Sequence, residues 1–187
     1  MSISQYIRQF VDPNFDDEQL PFSTKEYTFF KGQVITRCGE VEKKIYFLNS
    51  GISYLIVPHN GERRVLDFFF PGDFFCSYTS LLKQVPSDVE ILALTESQVL
   101  IIDGPELDDI YNTSLLANKL GRVATEHLFL KKVQREKELL TLTAEERYEK
   151  MLNKNPAIIA QIPLKIIAQY LGIQPESLSR IRRLIKT

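Results

Sequence analysis

The last 25 residues, Pro163 to Thr187 (PLKIIAQYLGIQPESLSRIRRLIKT), constrain the fold more than any other stretch. They read as two short helices around a tight turn that contains Gly172. The first helix carries apolar residues at Ile166, Ile167, Ala168, Tyr170 and Leu171, and the turn is Leu171-Gly172-Ile173. The second opens at Gln174-Pro175, where the fixed φ of proline suits a first helical position. Its apolar stripe is Leu178, Ile181 and Ile185, which turns one face inward. About 200° around from Leu178, at 100° per residue, the helix carries Glu176, Arg180 and Arg183. Two short helices so spaced, the second with an exposed polar and basic face, are the sequence form of a helix-turn-helix, whose exposed face enters a major groove.

An ordinary αα-hairpin is the plain alternative, and three features weigh against it. Gly172 stands where a helix ends in a left-handed residue. The charge of the second helix lies away from its apolar stripe. The charge is also local: from Leu164 to Thr187 there are five basic residues (Lys165, Arg180, Arg182, Arg183, Lys186) and one acid, Glu176, while the whole 187-residue chain carries a net −1. A near-neutral chain with a basic terminus fits one nucleic-acid-facing surface rather than general polyanion binding.

Upstream the pattern changes. Residues 4 to 11 (SQYIRQFV) predict a short amphipathic helix. From Glu26 to Asp103 the chain runs in short stretches rich in Val, Ile, Tyr and Phe: EYTFF, QVITRC, KIYFL, SYLIV, RRVLDFFF, EILAL and SQVLII. Turn signals separate them, among them Lys31-Gly32, Gly39-Glu40, Asn49-Ser50-Gly51, Pro71-Gly72-Asp73 and the hairpin signal Asn60-Gly61. Seven or eight strands spaced about ten residues apart predict an antiparallel sandwich or jelly roll. Phe68-Phe69-Phe70 cannot all face one way, because successive strand side chains alternate, so one or two of them line a pocket or face a helix.

After Gly104 helices return. GPELDDIYN is short, and Ser114 to Lys137 is long. Leu116, Leu120, Val123, His127 and Leu130 recur by four and three, a heptad seam. A two-fold partner helix is the simplest way to bury that seam; the alternative is packing on the chain's own β-roll. Thr143 to Glu146 form a capping box that opens a further helix through Leu152.

In this order the elements resemble the Crp/Fnr family, the cyclic-AMP receptor protein and its relatives, over nearly the whole chain. The matching residues are Lys31-Gly32, Gly39-Glu40, Ile45-Tyr46-Phe47-Leu48 with Gly51, Pro71-Gly72-Asp73-Phe74 and IAQYLGIQPESLSRIRR. The resemblance implies an α+β chain. Its parts are an N-terminal antiparallel β-roll of cyclic-nucleotide-binding type (1–112), a long dimerisation helix (113–138) and a C-terminal, winged-helix-like helix-turn-helix (139–187) that is truncated before a wing. It implies a homodimeric, double-stranded-DNA-binding transcription regulator with RNA polymerase as a further partner. Glu176 and Arg180 fall where such proteins read base edges, with Gln174 and Ser177 beside them. Lys165, Gln169, Arg182, Arg183 and Lys186 are the candidates for the DNA backbone.

The departures are as informative. Cyclic-nucleotide binders of the family follow Gly-Asp-Phe with a Phe/Ile-Gly-Glu-Leu segment that cradles the phosphate and takes the ribose hydroxyl. Here, after Phe74, the segment is Phe75-Cys76-Ser77-Tyr78. Ser87 falls where the family has the arginine that pairs with the phosphate, and no Arg or Lys lies between Gln84 and Leu100. A phosphate monoanion in a partly buried pocket needs a charge-assisted partner, so the resemblance combined with these residues excludes cyclic AMP. An unknown small-molecule effector in an apolar pocket and an effector-independent roll both stay open.

Other classes fall away on residue counts. Two cysteines, Cys38 and Cys76, supply neither a disulfide framework nor an iron–sulfur or zinc site. Two histidines, His59 in a turn and His127 on the long helix, do not make a cupin metal site, so no metal, no cofactor and no enzymatic reaction are expected. A module that has lost DNA binding is the remaining alternative, but it has no reason to keep Glu176, Ser177, Arg180 and Arg183 on one side of a helix. No run reaches the ~20 apolar residues of a membrane span and the N-terminus has no apolar signal core, so no membrane partner and a cytoplasmic location are expected.

Overall fold

The computed structural model describes residues 1–16, 20–59, 61–154 and 156–185, with Ile158 described by its backbone alone. The chain divides into two compact units, Met1–His127 and Leu128–Thr187.

The first unit is a two-layered β-roll. Its strands are β1 (Lys25–Phe29), β2 (Val34–Thr36), β3 (Lys44–Ser50), β4 (Ser53–His59), β5 (Glu62–Phe69), β6 (Phe74–Phe75), β7 (Glu90–Ala93) and β8 (Ser97–Asp103). They form two four-stranded sheets, ordered β1-β8-β3-β6 and β2-β7-β4-β5, paired antiparallel. Tyr46, Leu48, Phe75 and Val99 of one sheet meet Leu55, Phe69 and Ile91 of the other in a shared core.

Strand β3 is buried on both faces, which explains its unbroken apolar run. Tyr46 points between the sheets, while Phe47 belongs to a second core with Leu100 and Ile102. That core is covered by helix α1 (Ile3–Phe10) through Ile3, Tyr6 and Ile7. The helix starts at a reciprocal capping box between Ser2 and Gln5. The Phe68-Phe69-Phe70 run resolves by alternation: Phe69 stacks on Phe75 in the inner core, 4.7 Å between centroids, and Phe68 is buried beside the partly exposed Phe70.

The turn between β3 and β4 depends on Gly51. Its φ is +92°, and a Cβ there would lie 2.2 Å from the Glu96 carbonyl oxygen. Asn60 of the expected Asn60-Gly61 hairpin lies outside the described residues; Gly61 has the positive φ that the turn needs.

Helices α2 (Tyr78–Lys83) and α3 (Gly104–Tyr111) frame the last strands. The six residues of α2 are too few to show a 3.6-residue period, so the sequence does not announce it. Helix α4 (Leu115–Thr141) is 27 residues long and runs through the boundary between the units at His127. Its first part packs on the roll through Ala117 and Leu120, and its last part groups with the C-terminal helices.

The second unit adds α5 (Ala144–Lys154), α6 (Pro156–Ile159), α7 (Leu164–Leu171) and α8 (Pro175–Ile185). The capping box at the start of α5 is present: Thr143 N donates to Glu146 Oε2 (2.7 Å) and Glu146 N donates to Thr143 Oγ1 (3.2 Å). Those bonds hold the Glu146 carboxyl below its ordinary range. Tyr148, Ile159, Ile162, Ile167, Ala168, Leu171 and Leu178 are buried in this unit.

Candidate nucleic-acid interface and sensor pocket

Helix α7 ends at Gly172, which takes the left-handed conformation (φ 72°, ψ 29°) that glycine adopts without a Cβ penalty. Pro175 is the first residue of α8, as the spacing predicts. Leu178 is fully buried, and Ile181, Arg182 and Ile185 flank it half-buried. Glu176, Ser177, Arg180, Arg183 and Leu184 are exposed on the other side, and Gln174 is exposed just before the helix. Lys165 is exposed and Gln169 half-exposed on α7. Lys186 lies outside the described residues.

One member of the expected backbone set is placed differently. Arg182 stands about 40° from Leu178 on the helix, at 100° per residue. It lines an apolar cleft of about 170 Å³ with Tyr148, Leu152, Ile159, Ile167 and Ile185. Arg182 is half-buried there, whereas Arg183 is exposed.

The expected dimer seam also divides. Leu120 is 4% exposed and belongs to the roll's second core, with Leu116 and Val123 packed against it. Leu120 is covered within one chain, and Leu116 and Val123 are partly buried against the same core. His127 is exposed at its edge, but its Nδ1 lies 2.7 Å from the Tyr6 hydroxyl and its ring meets Phe10 edge-on. Of the five, only Leu130 stays well exposed. Besides Leu130 and Leu139, the apolar residues left open on α4 are Leu115 (71% exposed), Phe129 (66%) and Leu140 (80%), with half-buried Val133 in line, a stripe about a third of a turn around from the 4-3 seam.

In the roll, the six residues expected to line a degenerate effector pocket are Phe74, Phe75, Cys76, Ser77, Tyr78 and Ser87. Phe74 packs on Phe47 and Tyr6, and Phe75 stacks on Tyr46 and Phe69. Tyr78 is exposed on α2. Ser77 and Ser87, ten residues apart, are each 2% exposed and their hydroxyl oxygens lie 2.8 Å apart. Ser87 Oγ is also 2.7 Å from the Val89 carbonyl and accepts from Val89 N. A hydroxyl has one proton; if Ser87 gives it to Val89, its oxygen accepts from Ser77. The two positions that would face a ribose and a phosphate are thus joined to each other and closed to solvent.

Cys76 sits beside them. Burial, and then the charge of Glu42, push its thiol up to about 12, so it is a neutral, inert thiol. The buried Glu42 carboxylate is itself saturated: Thr36 Oγ1 donates to Oε2, and the Lys43 and Lys44 amides donate to Oε1, each at 3.0 Å. A cavity of about 550 Å³ opens elsewhere on the roll, over Tyr27, Phe29, Ile35, Tyr46 and Ile101, and takes none of its lining from residues 74–78. Among the described residues, no cluster of His, Cys, Asp and Glu is placed to hold a metal ion, and no helix is long and apolar enough to cross a membrane.

The sequence model of the cyclic nucleotide-binding domain family matches residues 27–114, from β1 to the start of α4. No curated protein sequence matches the chain. Among solved structures, FixK2 from Bradyrhizobium japonicum superposes with a TM-score of 0.75 at 19% identity, covering 88% of this chain and 85% of that one. This is the fold of the Crp/Fnr regulators. The global regulator CLP from Xanthomonas campestris, described as responsive to c-di-GMP, gives 0.69 at 17% identity, over 87% and 86% of the two chains. A Crp/Fnr-family protein from Eubacterium rectale gives 0.70 at 16%, over 88% and 79%. Identities this low speak for the Crp/Fnr fold, and what this chain's site does must come from its own residues.

Two arginines of the site were not singled out by sequence. Arg135 on α4 donates to the Tyr170 carbonyl, and its guanidinium carbon lies 3.8 Å from the Tyr170 ring centroid. Arg147 on α5 donates to the Leu171 carbonyl at 2.9 Å. Their sequence contexts, Gln134-Arg135-Glu136 and Glu146-Arg147-Tyr148, look like ordinary charged helix surface, and only the fold brings them to the turn.

Proposed function

We propose that the chain is a homodimeric, sequence-specific DNA-binding transcription regulator of the Crp/Fnr type that works without cyclic AMP. The observation that carries the reading is α8: a buried Leu178 face against its own unit and an exposed face of Glu176, Ser177, Arg180 and Arg183. Arg180 gives guanine a bidentate pair of hydrogen bonds, and Glu176 accepts from cytosine N4. Gln174 and Ser177 make secondary contacts. Lys165, Gln169, Arg183 and Lys186 hold phosphates and carry no sequence information of their own.

The dimer uses the open face of α4. Leu115, Phe129, Val133 and Leu140 fall within about 40° of one another on the helix, a stripe that a second copy covers by two-fold symmetry. Two recognition helices then address major grooves about 34 Å apart. Insensitivity to cyclic AMP follows from the Ser77–Ser87 bond, which replaces a carboxylate and a guanidinium by two neutral hydroxyls. DNA as partner implies a cytoplasmic protein, and RNA polymerase is its further partner by family likeness alone.

The test is binding of the purified protein to a genomic or selected two-fold site, with and without cyclic AMP. The expected result is binding that the nucleotide leaves unchanged. Binding that appears only on adding the nucleotide contradicts the closed pocket, and no binding in either condition contradicts the whole reading.

A further inference from the structure

The C-terminus of α7 presents four carbonyls that no further helical turn can bond. All four have partners. The Ala168 oxygen accepts from Ile173 N (3.0 Å) and the Gln169 oxygen from Gly172 N (3.2 Å). The Tyr170 and Leu171 oxygens accept from Arg135 and Arg147, which lie outside the helix-turn-helix. Arg147 also donates through Nη1 to the Leu142 carbonyl, 2.6 Å away and one residue past the end of α4. One guanidinium thus joins the last turn of α4 to the last turn of α7. The other is anchored on α4 itself and stacked on Tyr170. A Lys150–Glu138 ion pair of 2.7 Å ties α5 to α4 beside them. Two cations at the negative end of the α7 dipole are also electrostatically well placed.

We propose that Arg135 and Arg147 are positioning residues for DNA recognition, a clamp that fixes the Gly172 turn to α4 so that α8 is presented at one angle. The proposal rests on the DNA-binding reading above. The direction of α8 is set by the left-handed Gly172 and by whatever holds the carbonyls just before it. Within the motif, backbone amides hold only the first two of those carbonyls. The arginines hold the other two, each through one Nη2 group. The clamp also gives α4, the helix that pairs two copies, a direct hold on the reading head.

Loss of a positioning residue and loss of a phosphate contact read out differently. A lost phosphate contact lowers the salt dependence by about one unit of slope. A loosened turn weakens all binding and leaves that slope alone. Lysine at 135 keeps the charge but loses the planar fork and the stacking, so it rescues only in part.

The experiment uses the full chain with Arg135→Ala, Arg135→Lys and Arg147→Ala. It measures DNA affinity at several salt concentrations, sedimentation, and amide hydrogen exchange at Gly172 and Ile173. The expected result for Arg135→Ala is binding weaker by about tenfold or more, the scale of a lost charged hydrogen bond. The salt slope and the dimer should be unchanged, and exchange at both amides faster. Arg135→Lys should fall in between, and it keeps the test open should Arg147→Ala not fold. A slope lower by about one with unaltered exchange would make Arg135 a phosphate contact and overturn the clamp. Should the unsubstituted protein bind no DNA, the functional reading fails, and exchange decides the clamp alone: unchanged rates at Gly172 and Ile173 in Arg135→Ala sink it.

Discussion

Leu178 is fully buried, and Arg180, two positions on, is exposed; a helix with both is docked on one side and open on the other. The 3.6-residue period made that legible in the sequence for Glu176, Arg180 and Arg183. It does not place Arg182, because a long side chain can line an apolar cleft and still carry its charge to solvent. Three alanine substitutions therefore separate. Arg180→Ala should cost ~1–3 kcal/mol on the preferred site and relax preference at one base per half-site. Arg183→Ala should weaken all DNA alike and lower the salt slope by about one. Arg182→Ala should leave the slope unchanged and lower stability by about 1 kcal/mol through lost packing. Binding curves on the preferred site, a single-base variant and unrelated DNA at two salt concentrations, with a thermal melt of each variant, check all three. The cysteines give a second residue-level expectation. Exposed Cys38 should react with a thiol reagent at pH 8, while Cys76, its thiol pushed up to about 12, should react only on unfolding. Two fast thiols in the folded protein would show that the segment around Ser77 opens to solvent.

Among the elements, the strands were the most legible, because β-rich runs between Gly and Pro turns leave few alternatives. The helices α2 and α6 were not, since six and four residues show no period. The long helix was legible as a helix. A heptad pattern shows that a face is buried, but not whether the partner is another chain or the same one. Tyr6, Phe47 and Leu107 cover Leu120 from within, and only their positions in the fold reveal it. The consequence is measurable. Leu120→Asp should destabilise the roll by about 3 kcal/mol or more, as a charge buried in an apolar core. Phe129→Asp with Leu140→Asp should leave the fold intact and give monomers in sedimentation. A double variant that remains dimeric at micromolar concentration would place the two-fold contact elsewhere.

For the molecule as a whole, two tyrosines and one cysteine of the roll are held protonated. Burial, and then Asp73, push the Tyr6 hydroxyl up to about 12; burial, with Glu42 adding to it, pushes the Cys76 thiol to a similar level; and burial first, then Glu42, raise Tyr46 further. A raised value in the folded state stabilises the fold below the unfolded value and loses that contribution as pH rises. Stability should therefore be level from pH 7 to about 8.5 and fall steadily from there towards pH 12, with the Tyr and Cys reference values near 10 and 8.5 setting the onset. Urea midpoints across this range check it, and a flat profile to pH 11 would mean these groups titrate as in an unfolded chain. The roll matches the cyclic nucleotide-binding domain family, and within it Ser77 and Ser87 are buried and bonded to each other. The proposed function rests on two parts of the chain, the long helix α4 and the exposed face of α8. The most direct test of that combination is in-vitro selection of bound DNA from a random pool, using purified protein with no ligand added. The expected result is one enriched motif with two-fold symmetry and half-sites about one helical turn apart. A pool that stays random after repeated rounds, or one that enriches only when a cyclic nucleotide is present, would contradict it.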